Sequence, residues 1–366
     1  MIRSVTTTED APPAPSPVWF AFVEALLIGA IPLLGVIGFD ALLSSRTGTF
    51  VEQPGPGDPG WAALVGPSPV TAVVLELDGQ TAGAAVVAQP GVGEDGGAIV
   101  VVAPNVLLDG APLHSLPVEE VASRLGAELD LGVGATVVMD AEAWAAVLGS
   151  STVEVDNPDP IPVAVGESEL PIGRIDLGSA DVDRFVGRAA AEGPTEAIVV
   201  RNERLWEALL DVAGDGGLAV DHPLGALLEQ LEAGPVEVAV APTEASALGM
   251  VFAAEPTEAL VRRIVPFPSG ADGGARPAVQ ILARTSSVDL EAIAEDVAAL
   301  GVEVVLIGYA DPFDQGETEL VVPDGTDPTR FAELVDWLGG DSVLRVADAD
   351  VSPDLVTLRV ADAVGS

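Results

Sequence analysis

The sequence predicts an α/β protein built in three parts: an N-terminal transmembrane helix, an α/β domain around a central sheet, and a small two-layer α/β domain at the C-terminus. Three observations lead there. Residues 18–43 are apolar except for Glu24 and Asp40, and about 20 such residues suffice to cross a bilayer as a helix. Strand-like and helix-like patterns then alternate as far as residue 267, as they do in α/β domains. From residue 278 onward a strand-helix-strand pattern appears twice, each helix with one apolar face.

The apolar run reads as an anchor. A cleaved secretory signal has a basic leader and a shorter apolar core, whereas here Arg3 is followed by Glu9 and Asp10. Trp19 and Phe20 suit a membrane interface. The expected organisation is a cytoplasmic tail (1–17), a transmembrane anchor (18–43), a Pro/Gly stalk (44–69), an α/β domain (70–267), a linker (268–277) and the C-terminal domain (278–366). The expected location is a cell membrane crossed once, with the body outside the cytoplasm.

The chain carries a net charge of -42 and no lysine, its basic residues being 15 arginines and two histidines. Nucleic acid binding relies on Lys and Arg neutralising phosphates, so DNA and RNA are excluded as partners. There is no cysteine, which excludes disulfides, thiolate metal sites and cysteine nucleophiles. His114 and His222 are far apart in sequence, which speaks against a histidine metal site.

In chain order, Val70–Leu77, Gly83–Ala88 and Ala98–Ala103 read as strands. Gly91 to Gly96 matches G-x-G-x-x-G, but a strand follows it where a dinucleotide site needs a helix, so it reads as a hairpin turn. Val118–Leu125 has helical spacing, Ala135–Met139 is strand-like, and Ala141–Leu148 is a helix with Asp140 as N-cap. Thr152–Val155 reads as a strand. Ala180–Ala191, Glu203–Val212, Leu224–Leu231 and Thr257–Ile264 read as helices, Val236–Ala241 as a strand, and Glu196–Val200 as a short strand or helix entry. The last domain is read as strands at Ala278–Ala283, Glu303–Ile307, Thr318–Val322, Ser342–Val346 and Leu355–Val360, with helices at Leu290–Leu300 and Thr329–Leu338.

This order of pieces resembles the LytR-CpsA-Psr family of cell-envelope proteins. Leu125–Asp156 (LGAELDLGVGATVVMDAEAWAAVLGSSTVEVD) is similar to that family's strand-Asp-helix-Gly stretch, and Asp181–Leu210 to its arginine-bearing segment, with Arg201 and Arg204 keeping R-x-x-R. The residues from Val279 onward resemble the LytR C-terminal domain, with Ala283-Arg284 in place of the usual Asn-Gly. The resemblance implies transfer of a glycopolymer from polyprenyl diphosphate to the cell wall, with arginines gripping the diphosphate and carboxylates holding Mg2+. Guanidinium forks and a divalent cation suit that chemistry.

The chain departs from the family pattern at several places. The first strand lacks the family's acidic residue. The S-I-P-R-D-like turn reads Val102-Ala103-Pro104-Asn105-Val106, so Asn105 and Val106 replace Arg and Asp. The Y-V-R-x-R motif appears as Phe185-Val186-Gly187-Arg188-Ala189, and Ile198 stands where an Asp is expected. Arg188, Arg201 and Arg204 remain as candidates for diphosphate binding, with Arg174 and Arg184 able to converge on the same cleft. The competing reading of Arg201 and Arg204 is a salt-bridged helix start with Glu203 and Glu207. Asp156/Asp159 and Asp311/Asp314 are weak cation candidates that match no EF-hand spacing.

The expectation is a membrane-anchored envelope protein with a degenerate transferase site, no catalytic residue and no metal or other cofactor, acting in binding, scaffolding or regulation. One alternative is an active phosphotransferase that uses Mg2+ and a polyprenyl diphosphate-linked glycopolymer. The other is an extracytoplasmic module that binds peptidoglycan or a protein.

Overall fold

The computed structural model of the chain describes residues 58, 60–91, 95–161, 170–187, 195–270, 276–284, 287–309, 318–323, 326–339, 343–347 and 355–361. The expected tail and anchor lie outside these residues. Among the described residues no helix is long and apolar enough to cross a membrane. All of them fall in the compact unit Pro54–Ser366.

β1 (Ala62–Leu64) comes first and corrects the stalk reading of 44–69, because it pairs with a strand near the other end of the chain. β2 (Val70–Leu77), β3 (Gln80–Ala88) and β4 (Gly97–Val102) form an antiparallel meander. Gly91 and Gly96 therefore lie in the β3–β4 hairpin connection, as expected. A short ribbon follows, β5 (Leu107–Leu108) with β6 (Ala111–Pro112). Next come α1 (Val118–Leu129), β7 (Ala135–Met139) and α2 (Ala141–Leu148). The Asp140 carboxylate accepts a hydrogen bond from Ala143 N at 2.8 Å, an N-cap worth about 1 kcal/mol.

β8 (Val153–Asn157) and β9 (Gly173–Leu177) make a separate antiparallel ribbon. The sequence reading missed β9, whose short alternating run carries Arg174 and Asp176. α3 (Ser179–Gly187) and α4 (Thr195–Gly214) follow. Glu196–Val200 is thus the first turn and a half of α4. Of the two readings given to it, strand or helix entry, the second holds: burial of one helix face overrides the strand propensity of its β-branched residues. α5 (Pro223–Glu232), β10 (Val236–Val240), the hairpin β11 (Thr243–Ala245) and β12 (Met250–Phe252), and α6 (Ala254–Ile264) complete the first domain.

Its central sheet runs β10-β4-β3-β2-β7. β4 is parallel to β10 and β2 to β7, and β3 alone runs against them. One face carries Val73, Leu75, Val87, Ile99 and Val101, packed with Trp144, Phe185, Trp206 and Leu228 of the α2–α5 helices. The other carries Val74, Val86, Val100 and Val102, packed with Leu125 of α1 and Leu260 of α6. With both faces covered, the strands read as nearly unbroken apolar runs, which is why they were visible in the sequence.

The C-terminal domain contains β13 (Ala278–Ala283), α7 (Leu290–Ala298), β14 (Glu303–Tyr309), β15 (Glu319–Pro323), α8 (Ala332–Leu338), β16 (Val343–Ala347) and β17 (Val356–Val360). Its sheet order is β1-β14-β13-β17-β15-β16. Alternate residues Val279, Ile281 and Ala283 of β13 and Val356, Leu358 and Val360 of β17 join Ala294, Val297 and Leu334 in one core. A sheet with its helices packed on one face is the two-layer arrangement expected. The other face carries polar pairs, Gln280 Nε2 on Thr357 Oγ1 at 2.6 Å and Arg359 Nη1 on the buried Glu319 at 2.7 Å.

Candidate functional site

The buried face of α4 carries charge in the middle of an apolar stripe. Ile198, Leu205, Trp206, Leu209 and Ala213 are buried at three- and four-residue spacing, and Arg201 and Asn202 fill the same face one turn into the helix. Both are fully buried, at 0% exposure.

Arg201 Nε lies 3.4 Å from Ala197 O, one turn back, and 3.4 Å from Asp159 Oδ1 in the segment after β8. Its Cζ stands 5.8 Å from the Phe185 ring centroid on α3, within cation–π range. Among the described residues, Nη1 and Nη2 find no hydrogen-bond partner, nor do the amide atoms of Asn202 or the indole N–H of Trp206 one turn on. Asp159 Oδ1 also accepts no hydrogen bond, so its contact with Arg201 is a charge pair without hydrogen-bond geometry. Burial pushes the Arg201 guanidinium below its ordinary value, and the Asp159 carboxylate opposes that shift. An arginine still keeps its charge.

Asn202 reaches the sheet at Gly83 of β3, where a Cβ would stand 3.2 Å from its Nδ2. Gly83 pairs with Leu75, near the carboxyl end of β2. β2, β4, β7 and β10 all point their carboxyl ends this way, and open α/β sheets bind ligands outside that end. The turn 102–106 leaves β4 at the same end.

Three other candidate arginines, Arg174, Arg184 and Arg204, have ion-pair partners of their own. Arg204 is half exposed and pairs with Glu207 at 2.9 Å, whose hydrogen bond raises its pKa. This is the salt-bridged helix reading, realised at Arg204 but not at Arg201. Arg174 is exposed on β9 and pairs with Glu154 across the ribbon at 2.9 Å, while Arg184 of α3 pairs with Asp181. Arg188 lies outside the described residues, as do Asp311 and Asp314. Val106 and Ile198, which stand where the resemblance implies carboxylates, are buried at 0% and 1% exposure. Asn105 keeps a buried Oδ1 without a partner.

Mg2+ favours several oxygen ligands. Beside Arg201 the close carboxylate is Asp159, already facing the guanidinium. Among the described residues no group of three or more His, Cys, Asp or Glu could hold a metal.

Asn202 was missed in the sequence. Its signal was available: a helix started at Thr195 instead of Glu203 puts 201 and 202 in register with 198, 205 and 209.

A cavity of about 410 Å³ lies away from this site, between α1, α6 and α7. Arg276 lines it and joins the two domains, donating to Ala298 O at 3.3 Å, Asp130 O at 2.9 Å and Asp130 Oδ2 at 2.6 Å.

No known family's sequence profile matches the chain, and no curated protein matches it. Solved structures do. A LytR-Csp2A-Psr enzyme from Actinomyces oris is 17% identical with a TM-score of 0.40, covering 59% of this chain and 97% of that one. TagT of B. subtilis is 14% identical with a TM-score of 0.38, covering 58% and 93%. TagT bound to LI-WTA gives 13%, 0.39, 54% and 91%. These neighbours belong to the family that the sequence resembles.

Proposed function

We propose that this chain is a membrane-anchored cell-envelope protein with a LytR-CpsA-Psr-like domain whose transferase site is degenerate, leaving a binding, scaffolding or regulatory role in cell-wall assembly. In this reading residues 18–43 cross the membrane once, the body lies outside the cytoplasm, and the work is done without a metal. The observation that carries it is the burial of Val106 and Ile198. Where the family resemblance implies carboxylates, this chain has core side chains, so the lost charges are built into the packing. Arg201 is turned inward against Asp159 and Phe185 instead of standing with Arg204. The test is incubation of the full chain with Mg2+ and a polyprenyl diphosphate-linked glycan. No transfer or release of polyprenyl phosphate is expected, and turnover that disappears in Arg201→Met would refute the proposal.

One observation favours the active alternative. Arg201 Nη1 and Nη2, Asn202 Nδ2 and Trp206 Nε1 are open donors on one helix face, a donor set suited to phosphate oxygens. Inorganic diphosphate added to the full chain separates the readings: saturable thermal stabilisation lost in Arg201→Met supports the alternative. The third reading, a module for peptidoglycan or a protein, predicts that the full chain sediments with purified sacculi and that Arg201→Met leaves this unchanged.

A further inference from the structure

Residues 60–65, expected as stalk, enter the C-terminal sheet. β1 lies antiparallel on β14, with Ala62 opposite Gly308, Ala63 opposite Ile307 and Leu64 opposite Leu306. The ladder continues on both sides: Tyr309 N donates to Trp61 O at 2.7 Å, Gly60 N to Tyr309 O at 2.9 Å, and Val65 N to Val305 O at 3.1 Å. The Trp61 and Tyr309 rings stand 5.6 Å apart, and Trp61 and Val65 pack on the C-terminal core.

The fit is specific at Gly308. A Cβ there would stand 2.6 Å from Trp61 O and 3.0 Å from Ala62 Cα, so β14 receives this strand closely because position 308 has no side chain. The far end of the segment is tied to the first domain. Ser68 N donates to Phe267 O at 2.8 Å, and Ser68 Oγ donates to Pro90 O at 2.9 Å and accepts from Phe267 N at 3.3 Å. Without β1, β14 would be the outer strand of the sheet. An open edge is a template for an added strand.

We propose that the outer edge of β14 is a strand-acceptor site whose occupant is the 60–65 segment of this chain, held in cis and, once released, replaced by the same segment of a second copy. The occupant is named by what the site matches: a small residue facing Gly308, and an aromatic before it to meet Tyr309. Within β1 itself Ala62 and Leu64 are exposed, so few buried side chains oppose its exchange. The C-terminal region from residue 278 is then incomplete by itself, because its edge strand precedes the first domain.

The absence of cysteine makes disulfide trapping in the detergent-solubilised full chain selective. In Leu64→Cys/Leu306→Cys both thiols are expected to disappear into an intramolecular disulfide under mild oxidation. In Leu248→Cys/Leu306→Cys, with Leu248 as exposed as Leu64, both should stay titratable. An equal mixture of the single variants Leu64→Cys and Leu306→Cys should give disulfide dimers faster after brief exposure to mild denaturant. An excess of a peptide of residues 58–67 should suppress those dimers, and the same peptide with Ala62→Phe should not. Free thiols in the double variant, or equal dimer formation by Leu248→Cys with Leu306→Cys, would overturn the proposal. Equal suppression by an unrelated strand peptide would overturn the assignment of the occupant.

Discussion

Arg201 and Arg276 are two mostly enclosed arginines in opposite situations. Arg276 is 10% exposed at the domain junction, and its guanidinium donates to the last carbonyl of α7 and to the carbonyl and carboxylate of Asp130. Asp130 closes α1 in a left-handed conformation, so one cation meets the negative ends of two helices. Arg201 sits deeper and has a charge partner at Nε, yet both of its Nη groups lack hydrogen bonds. The difference separates a charge that holds the structure together from one that the structure tolerates. A buried charge with open donors is a net burden to folding. Its neighbours along the stripe are apolar, and so are the buried Val106 and Ile198.

Four substitutions sharpen or break that contrast. Arg276→Ala should destabilise the protein by about 3 kcal/mol, since it removes charge-assisted hydrogen bonds to two helix ends, and urea unfolding should separate into two transitions. A single unshifted transition would mean that the junction does not depend on this residue. Asp159→Ala should cost about 2 kcal/mol by leaving the Arg201 charge unopposed, read by the same unfolding curves. Arg201→Met should raise stability by about 1 kcal/mol, because an apolar side chain of similar length suits the stripe on α4. If Arg201→Met destabilises as much as Arg276→Ala, the contrast fails and both arginines are structural.

Asp183→Asn on α3 should have the smallest effect, and one that depends on pH. Burial raises the Asp183 pKa, with Arg184 opposing and Asp78 and Asp181 adding to the rise. A carboxyl with a raised folded-state pKa gives stability that is full below its unfolded pKa, near 3.9, and is lost as pH climbs through the folded value. Thermal unfolding from acid to neutral pH should show that loss in the parent and a shallower one in Asp183→Asn.

Most of the fold was legible because the signals were local. Apolar runs marked β2, β4 and β10, Asp140 announced α2, and helical spacing marked α1, α5, α6 and α7. The site was less legible. Arg204 behaves as its neighbour Glu207 foretold, but Arg201 does not, because the start of α4 was placed eight residues too late and the stripe that buries 201 and 202 went unseen. Among the short ribbons, β8 was legible from its alternation, while β5–β6, β9 and β11–β12 span two to five residues each, too few to show a period.

By itself the sequence determined the class of fold, the absence of cysteine chemistry and of a basic surface for nucleic acid, and the uncharged side chains at Asn105, Val106 and Ile198. These are properties of composition and of spacing within one element. The tertiary structure decided that Arg201 is enclosed while Arg204 is not, that Arg276 serves two helices at once, and that a segment resembling stalk completes the C-terminal sheet. Each of those depends on residues far apart in the chain meeting in space, and pairing at long range leaves no periodic mark on either partner.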